Sequence, residues 1–266
     1  MIGNVGAVFV FEWKRAFTWP RMTWSIGLAA FPVFIIGLVR WTVNAEARGD
    51  GEVWRTICIV MLFGLIPMLV TMLGTLLWSS PAISSELERR SWVYLAVRPH
   101  GGTAVLLGKY LAAVTWVIPP ALIGLTIAVP LAATGDTWRI WWAMTRLVLL
   151  SAPAYAAIYL VLGVVMPRRA MVLAVAYTLI FELLISFIPA VINKFTVQFR
   201  LRSLTVEWCE LSLLTNEQQW VVMAQFGTEP PWHHVTALIA LTLCLTGFAV
   251  ILLRSKEFPM SVESDA

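Results

Sequence analysis

The feature of this chain that most constrains its fold is the stretch from Thr56 to Ser85, which contains no charged residue. A helix that crosses a lipid bilayer needs about 20 consecutive, mostly apolar residues, and this stretch is longer than that. The whole chain has a similar character, because 59% of its 266 residues are apolar and only 13% are charged. The net charge of +4 is small for a nucleic-acid-binding chain. The sequence therefore predicts an all-α polytopic membrane protein whose surroundings are a lipid bilayer, with no nucleic-acid partner.

Six apolar runs long enough to cross a bilayer follow one another, so residues 1–266 are expected to form a single transmembrane domain. Arg40, Lys109 and Arg146 lie near the ends of these runs, where long basic side chains can snorkel to the membrane interface. The predicted spans cover approximately residues 24–43, 57–78, 110–133, 147–166, 170–193 and 235–253.

The distribution of basic residues predicts that both termini face the cytoplasm. In this orientation 11 of the 19 Lys and Arg residues lie in inner segments and 8 lie in outer segments. An excess of basic residues is the usual property of cytoplasmic loops. The expected location is the inner (cytoplasmic) membrane of a cell, with multiple passes.

Residues 1–19 are predicted to form a helix that lies in the inner membrane interface. Ile2, Val5 and Phe9 share one face at helical spacing, and Lys14 lies on the opposite face. An apolar face combined with basic groups directed toward anionic lipid is typical of interfacial helices.

Two connections between spans are long enough to have structure of their own. The sequence Ser85-Glu86-Leu87-Glu88 matches a capping box and predicts a short cytoplasmic helix over residues 84–98, which forms an elbow between the second and third spans. Residues 194–234 are expected to form an extracytoplasmic insert of two short amphipathic helices, at or dipping into the outer leaflet.

The sequence contains no nucleotide-binding or metal-binding motif. The pair Gly108-Lys109 has Thr103 at the position of the first P-loop glycine, and Tyr110 at the position of the Ser or Thr. His233 and His234 are adjacent, so on a helix they point in different directions and do not form a metal-binding pair. We therefore expect no catalytic residue, no metal and no cofactor in this chain.

Glu182 is an ionisable residue in the middle of the fifth predicted span. An unpaired charge there costs roughly 2.5 kcal/mol or more, so its side chain is expected to face other helices or a wet cavity. Tyr155, Tyr159 and Ser186 are its candidate partners. Two interpretations remain open, a polar contact with substrate or a proton, and a structural hydrogen bond between spans.

The elbow carries a resemblance to a known family. The run Glu86-Leu87-Glu88-Arg89-Arg90-Ser91, followed by Arg98-Pro99 and Gly108-Lys109, is similar to the segment between the second and third spans in the type-two permease family of ATP-binding-cassette (ABC) exporters. The layout of interfacial helix, six spans and helical insert is also similar. Arg90 is a departure, because the family tends to have Gly there.

The resemblance implies a permease subunit without its own ATPase. Its implied partners are a second copy in a homodimer and two separate ABC ATPase subunits that bind ATP and Mg. The implied activity is export of a hydrophobic or amphipathic substrate. In this family the elbow is a coupling helix that contacts the ATPase, which the N-terminal helix braces. The resemblance assigns Glu86, Glu88, Arg89, Tyr94 and Pro99 to ATPase coupling, and Glu12, Lys14 and Arg15 to the N-terminal brace.

Two other functions fit the same spans. In the first, the subunit transports nothing and transmits force to a periplasmic (extracytoplasmic) partner through residues 194–234. In the second, the chain is a proton-coupled secondary carrier that uses Glu182 as its proton site.

Overall fold

The protein is described here by a computed structural model, which covers residues 2–43, 51–88, 101–187, 193–194, 196–211 and 229–256. Within these ranges the secondary structure is helical, with no strand. The α-helices are α1 (Ile2–Ala16), α2 (Trp19–Thr42), α3 (Gly51–Phe63), α4 (Thr71–Ser79), α5 (Ser84–Glu88), α6 (Gly101–Ala132), α7 (Thr137–Val165), α8 (Ala170–Tyr177), α9 (Val197–Trp208) and α10 (Pro231–Ser255). The π-helical segments are Gly64–Val70 and Thr178–Leu184, and the 3₁₀ turns are Ser80–Ala82, Pro167–Arg169 and Ile185–Phe187.

Five helical runs in the described ranges are long and apolar enough to cross a membrane, which confirms the predicted helical, membrane-spanning character. Every run begins before the predicted span that it matches. Hydropathy detects only the apolar centre of such a helix, whereas its hydrogen bonding continues through interfacial residues such as Trp138 and Arg139. The five runs are Trp19–Thr42, Gly51–Leu87, Gly101–Ala132, Thr137–Val165 and Pro231–Ser255.

The predicted span 170–193 is not one of these five runs. Its residues 170–187 are helical but change type, from α8 to a π-helical segment and then to a 3₁₀ turn. Residues 188–192 lie outside the described ranges. The total of six spans therefore stays a prediction.

The second run changes its helix type at Pro67. Proline has no backbone N–H, and its ring clashes with the carbonyl four residues earlier, which here belongs to Phe63. The π-helical segment Gly64–Val70 begins directly after Phe63, and α4 resumes regular bonding at Thr71. The run then continues through a 3₁₀ turn into α5, so the elbow begins as a direct continuation of a membrane-spanning helix.

Helix α7 is the centre of the bundle. It packs against α4, α6, α9 and α10, and several of its large side chains, including Leu147, Tyr155 and Tyr159, are completely buried. By contrast, α2 and α10 lie at the periphery and bury few of their side chains, as expected for helices that face lipid.

The charged groups collect at the two ends of this bundle. At the elbow end, Lys109 of α6 lies beside α5, and Lys256 donates a hydrogen bond to the Val165 carbonyl at the end of α7, with an N–O distance of 2.5 Å. At the opposite end, Arg55 Nε lies 3.6 Å from Asp136 Oδ2, and Arg139 pairs with Glu210. Which of these two ends faces the cytoplasm stays a prediction.

Helix α9 lies within the predicted insert 194–234, and one of its faces is buried. Val197, Phe199, Leu201 and Leu204 are all at most 1% exposed, and the helix packs against α7 and α10. Residues 212–228, which include the second amphipathic helix of the prediction, lie outside the described ranges.

Candidate functional site at the elbow and around Glu182

Lys109 of α6 is the residue that holds the start of the elbow. Its side chain is buried, and its Nζ lies 2.5 Å from Glu86 Oε1, 2.9 Å from the Ala82 carbonyl oxygen and 2.9 Å from Ser85 Oγ. A lysine ammonium has three N–H donors, and here three acceptors surround it. Because the charge is paired and hydrogen-bonded, Lys109 can be buried and fixes the start of the elbow to α6.

Glu12 connects α1 to the same group. Its Oε1 lies 3.9 Å from Lys109 Nζ and 3.6 Å from Arg15 Nη1. We refer to Glu12, Arg15, Ser85, Glu86 and Lys109 as the elbow cluster. Three segments that are distant in sequence, namely α1, α5 and α6, therefore share one set of charges.

Gly108 allows α1 to approach α6 closely. A Cβ atom at Gly108 would lie 2.7 Å from Val8 Cγ1 and 3.2 Å from the backbone nitrogen of Phe9. Real Cβ atoms do not come this close to their neighbours, so any larger residue would push α1 away from Lys109.

The elbow is also anchored to α7. Ser79 Oγ donates a hydrogen bond to the Ala156 carbonyl over 2.7 Å. One residue later, the Ser80 carbonyl oxygen would lie only 2.5 Å from a Cβ built on Gly163. The chain that leads into the elbow thus lies directly against the backbone of α7.

The structure brings together only some of the residues that the sequence assigned to coupling and bracing. Glu12, Arg15 and Glu86 meet in the elbow cluster, whereas Lys14 is exposed and outside it. Glu88 is the last residue of α5. The remaining predicted coupling residues, Arg89, Tyr94 and Pro99, lie outside the described ranges, as does most of the predicted helix 84–98.

Two sequence interpretations of the elbow were wrong. Lys109 does not snorkel to the interface, because its side chain is buried and its donors are used inside the protein. Ser85 is not an N-cap, because α5 begins at Ser84 and the Ser85 hydroxyl instead accepts a hydrogen bond from Lys109. The capping-box pattern describes only local bonding and does not register a lysine that arrives from a later helix.

Arg40 and Arg146 are also engaged within the protein. Arg40 Nη1 donates to the Leu131 carbonyl oxygen at 2.5 Å, and the Arg146 guanidinium lies 4.9 Å from the centre of the Trp208 ring. These contacts join neighbouring helices.

Glu182 lies in the second π-helical segment and caps α9. Its Oε2 accepts a hydrogen bond from the Gln198 backbone N–H at 3.1 Å, and its Oε1 accepts one from Val197 at 3.4 Å. The Thr196 hydroxyl accepts from the next backbone N–H, that of Phe199, at 3.2 Å. The first N–H groups of a helix have no partners within it, and the helix dipole favours a carboxylate at this end. A negative group at this position therefore explains how α9 can begin in the interior of the bundle.

The predicted partners of Glu182 were wrong. Tyr177, one turn earlier in the chain, donates to Glu182 Oε1 at 3.0 Å. The Tyr159 hydroxyl instead bonds Thr178 at 2.7 Å, and that of Tyr155 has no hydrogen-bond partner among the described residues. The sequence missed the backbone of α9 because helix N–H groups carry no residue-specific signal.

Arg202 and Ser186 form a second contact between α9 and the same chain segment. Arg202 donates a hydrogen bond from its guanidinium to the Ser186 carbonyl. Burial lowers the pKa of Arg202 below its ordinary value, and the nearby Glu182 carboxylate opposes this effect. Together with the Glu182 bonds, this contact fixes α9 to the segment that follows α8.

No protein-family model matches the chain, and no curated protein matches it significantly. Its fold and the placement of its charges define a helical membrane protein with a charged cluster at one end and a buried, capped helix inside.

Proposed function

We propose that this chain is the membrane-spanning permease subunit of an ABC exporter for a hydrophobic or amphipathic substrate. In this proposal a separate ATPase subunit binds ATP and Mg, and two copies of the chain form a homodimer. The observation that carries the proposal is the contact between Lys109 and Glu86, which joins the elbow to the third predicted span. A coupling element must be joined rigidly to the helices that it moves.

The proposed mechanism is a rigid-body movement. Closure of the ATPase would push the elbow, and the elbow would tilt α4 and α6 together because the elbow cluster joins them. Helix α1 would move with α6, since Glu12 and Gly108 hold it against Lys109. The inner side of the membrane is then the elbow end, with both termini in the cytoplasm.

In this proposal the predicted coupling residues have two different roles, positioning of the elbow and contact with the ATPase. The Glu86 carboxylate is engaged by Lys109, so in this proposal it positions the elbow. Direct contact with the ATPase then belongs to the residues that follow it, starting with Glu88 and Arg89. Charged groups at such a contact contribute orientation and specificity more than affinity.

Purification from native membranes in mild detergent tests this proposal. We expect an ABC ATPase to copurify at about equal stoichiometry, and the Glu88→Arg variant to lose it while the permease remains folded. The matched control is Glu207→Arg, an exposed residue on α9 away from the elbow end. Normal retention of the ATPase by Glu88→Arg would contradict the coupling role, and absence of any ATPase from the wild type would contradict the class.

The arrangement of Glu182 gives little support to the proton-coupled carrier. A proton site must reach water during its cycle, whereas the Glu182 side chain is fully buried and both of its oxygens accept backbone N–H groups. This bonding favours the structural interpretation of Glu182.

A further inference from the structure

One face of α7 carries three completely buried polar side chains at successive turns, namely Ser151, Tyr155 and Tyr159. Two of them are hydrogen-bonded to neighbouring segments. The Ser151 hydroxyl donates to the Thr71 hydroxyl over 3.1 Å, and the Tyr159 and Thr178 hydroxyls bond over 2.7 Å. The hydroxyl of Tyr155, which lies between these two, has no hydrogen-bond partner among the described residues. Buried polar atoms of folded proteins are almost always hydrogen-bonded, so this hydroxyl requires an explanation.

Two further buried side chains have the same property. Gln198 of α9 is 1% exposed, and within the part of the chain that the structure describes neither its amide oxygen nor its amide nitrogen has a partner. Ser186, in the 3₁₀ turn Ile185–Phe187, is also 1% exposed, and its hydroxyl is without a partner in the same ranges. Unpartnered groups are therefore contributed by three segments, which are α7, the 3₁₀ turn and α9.

These three side chains lie around the same two charged residues. The Gln198 backbone N–H donates to Glu182 Oε2 over 3.1 Å, and Arg202 donates to the Ser186 carbonyl oxygen. Gln198 and Arg202 are four residues apart, so they share one face of α9. The Tyr155 hydroxyl is within reach of the charges of both Glu182 and Arg202. We refer to Tyr155, Glu182, Ser186, Gln198 and Arg202 as the interior polar cluster.

The chemistry of the interior polar cluster selects a small neutral ligand. Glu182 and Arg202 carry opposite charges, so a cation or an anion would be attracted by one and repelled by the other. The unpartnered atoms include hydroxyl and amide donors together with the amide oxygen of Gln198, which only accepts. A ligand that satisfies them must both donate and accept hydrogen bonds, as a water molecule does.

The backbone beside the cluster also favours water. Residues 178–187 change from a π-helical segment to a 3₁₀ turn next to the middle of the bundle. In membrane proteins, irregular backbone at this depth is tolerated where it is buried in protein or lines a water-filled cavity. Buried water typically makes about three hydrogen bonds to polar groups that otherwise lack partners.

We infer that ordered water is bound inside the bundle between α7 and α9, by the Tyr155 hydroxyl, the Ser186 hydroxyl and the Gln198 amide. A bridging water is nearly as favourable in enthalpy as a direct hydrogen bond. Helix α9 is then held twice, directly by the bonds of its first N–H groups to Glu182 and through water by Tyr155. The inference is independent of whether the protein transports anything.

Hydroxyl-radical footprinting by X-ray radiolysis of the purified protein in nanodiscs tests this inference. Radicals that form from bound water modify the side chains beside it, including those that bulk water does not reach. We expect Tyr155 to be modified several times faster than Tyr110. Tyr110 is the matched control, because it is also buried but its hydroxyl donates to the Pro153 carbonyl oxygen at 3.2 Å. In isotopically heavy water, the oxygen added to Tyr155 should carry the heavy isotope, which identifies water as its source.

A substitution on α9 tests the proposed ligands of the water. Gln198→Leu removes the amide and should lower the modification of Tyr155 several-fold. The control is Thr205→Val on the same helix, where the buried hydroxyl already donates to the Leu201 carbonyl oxygen at 2.8 Å. Thr205→Val should leave the modification of Tyr155 unchanged.

The sign of a stability change gives an independent test. If water satisfies the Tyr155 hydroxyl, Tyr155→Phe should lower the Tm, whereas removal of a hydroxyl that has no partner should leave the Tm unchanged or raise it. An unchanged or raised Tm would overturn the inference. Modification of wild-type Tyr155 no faster than that of Tyr110 would also overturn it, as would undiminished modification in a folded Gln198→Leu variant. The wild-type comparison and the Tyr155→Phe measurement decide the question even if Gln198→Leu does not fold.

Discussion

The Lys109 ammonium lies 2.5 Å from the Glu86 carboxylate, and the two side chains are only 8% and 12% exposed. The pair joins the end of one membrane-spanning run to the start of another, across the segment that contains the predicted coupling helix. A buried pair contributes little net stability, because its desolvation opposes its attraction, but removing one partner leaves an uncompensated buried charge. The main effect of the pair is therefore to fix the position of the elbow relative to α6.

We expect Lys109→Met to destabilise the protein strongly. The substitution leaves Glu86 buried without its cation, and breaking a buried pair in this way typically costs about 3–5 kcal/mol. The measurement is the free energy of unfolding, or the Tm, of the purified protein in detergent. Glu86→Gln should cost less, because the amide oxygen can still accept a hydrogen bond from Lys109.

The charge-swapped variant Glu86→Lys/Lys109→Glu provides the control for this prediction. It restores opposite charges and should recover part of the stability that either single swap loses. If the double variant is as unstable as the sum of its single variants, the two residues do not interact. Arg168→Gln, at an exposed position, should leave the Tm unchanged.

We expect Gly163→Ala to separate the elbow from α7. The new methyl group would lie 2.5 Å from the backbone oxygen of Ser80, which cannot move as a side chain can. Overpacking of this kind costs about 1–3 kcal/mol, measured as a lower Tm. Gly27→Ala on α2 is the matched control, because no atom lies within 4 Å of its new Cβ. A similar response of the two variants would show that the contact between Ser80 and Gly163 is not tight.

The spans were predictable because they depend on local composition. Apolar runs located five of the membrane-spanning helices, although each helix begins several residues earlier than its run. The region from 170 to 187 was less predictable, because its helix changes type along its length. The change occurs where Glu182 accepts hydrogen bonds from α9. Such bonds depend on a segment that follows later in the chain and leave no periodic pattern.

The elbow cluster was only half predictable. The family resemblance indicated Glu12, Arg15 and Glu86, but nothing in the local pattern paired them with Lys109. A lysine between Gly108 and Tyr110, with apolar residues on both sides, was the available signal. The pairing itself follows from the three-dimensional approach of α1, α5 and α6, which sequence spacing does not encode.

We expect Glu182→Ala to be more damaging than Glu182→Gln. Alanine leaves the N–H groups of Val197 and Gln198 without an acceptor, and each buried unsatisfied group costs about 1–3 kcal/mol. Glutamine keeps one carbonyl oxygen and should retain part of the cap. Tyr177→Phe removes a single hydrogen bond and should lower the free energy of unfolding by about 0.5–1.5 kcal/mol.

The same variants distinguish the structural role of Glu182 from proton transport. Liposomes that contain only this chain should show no flux driven by a pH gradient, and Glu182→Gln should change the Tm alone. A gradient-driven flux that disappears in a stable Glu182→Gln protein would instead support the secondary carrier.

The contact between Lys194 and Glu229 predicts how the stability of the protein depends on pH. The hydrogen bond from Lys194, at 3.2 Å, holds the pKa of Glu229 below its ordinary value. A depressed carboxyl pKa contributes stability above the pKa of the unfolded chain, and this stability is lost as the pH falls through the folded pKa. Because both side chains are more than a third exposed, the contribution is expected to be below about 1 kcal/mol. Lys194→Gln should thus lower the Tm slightly at pH 7, and this difference from the wild type should shrink as the pH falls through the folded pKa of Glu229. A difference in Tm that stays the same at every acidic pH at which the protein remains folded would contradict this.

The proposed orientation predicts which residues can be labelled from each side of the membrane. In a background with the three native cysteines replaced by Ala, Arg168→Cys should react with an impermeant maleimide only after the cells are permeabilised. Asp136→Cys, at the opposite end of α7, should react in intact cells. The physical reason is the excess of basic residues at the elbow end, which favours the cytoplasm. Reversed labelling would invert the proposed orientation and place the elbow outside the cell, where no ATPase could bind it. Labelling of both positions from one side would mean that α7 does not cross the membrane.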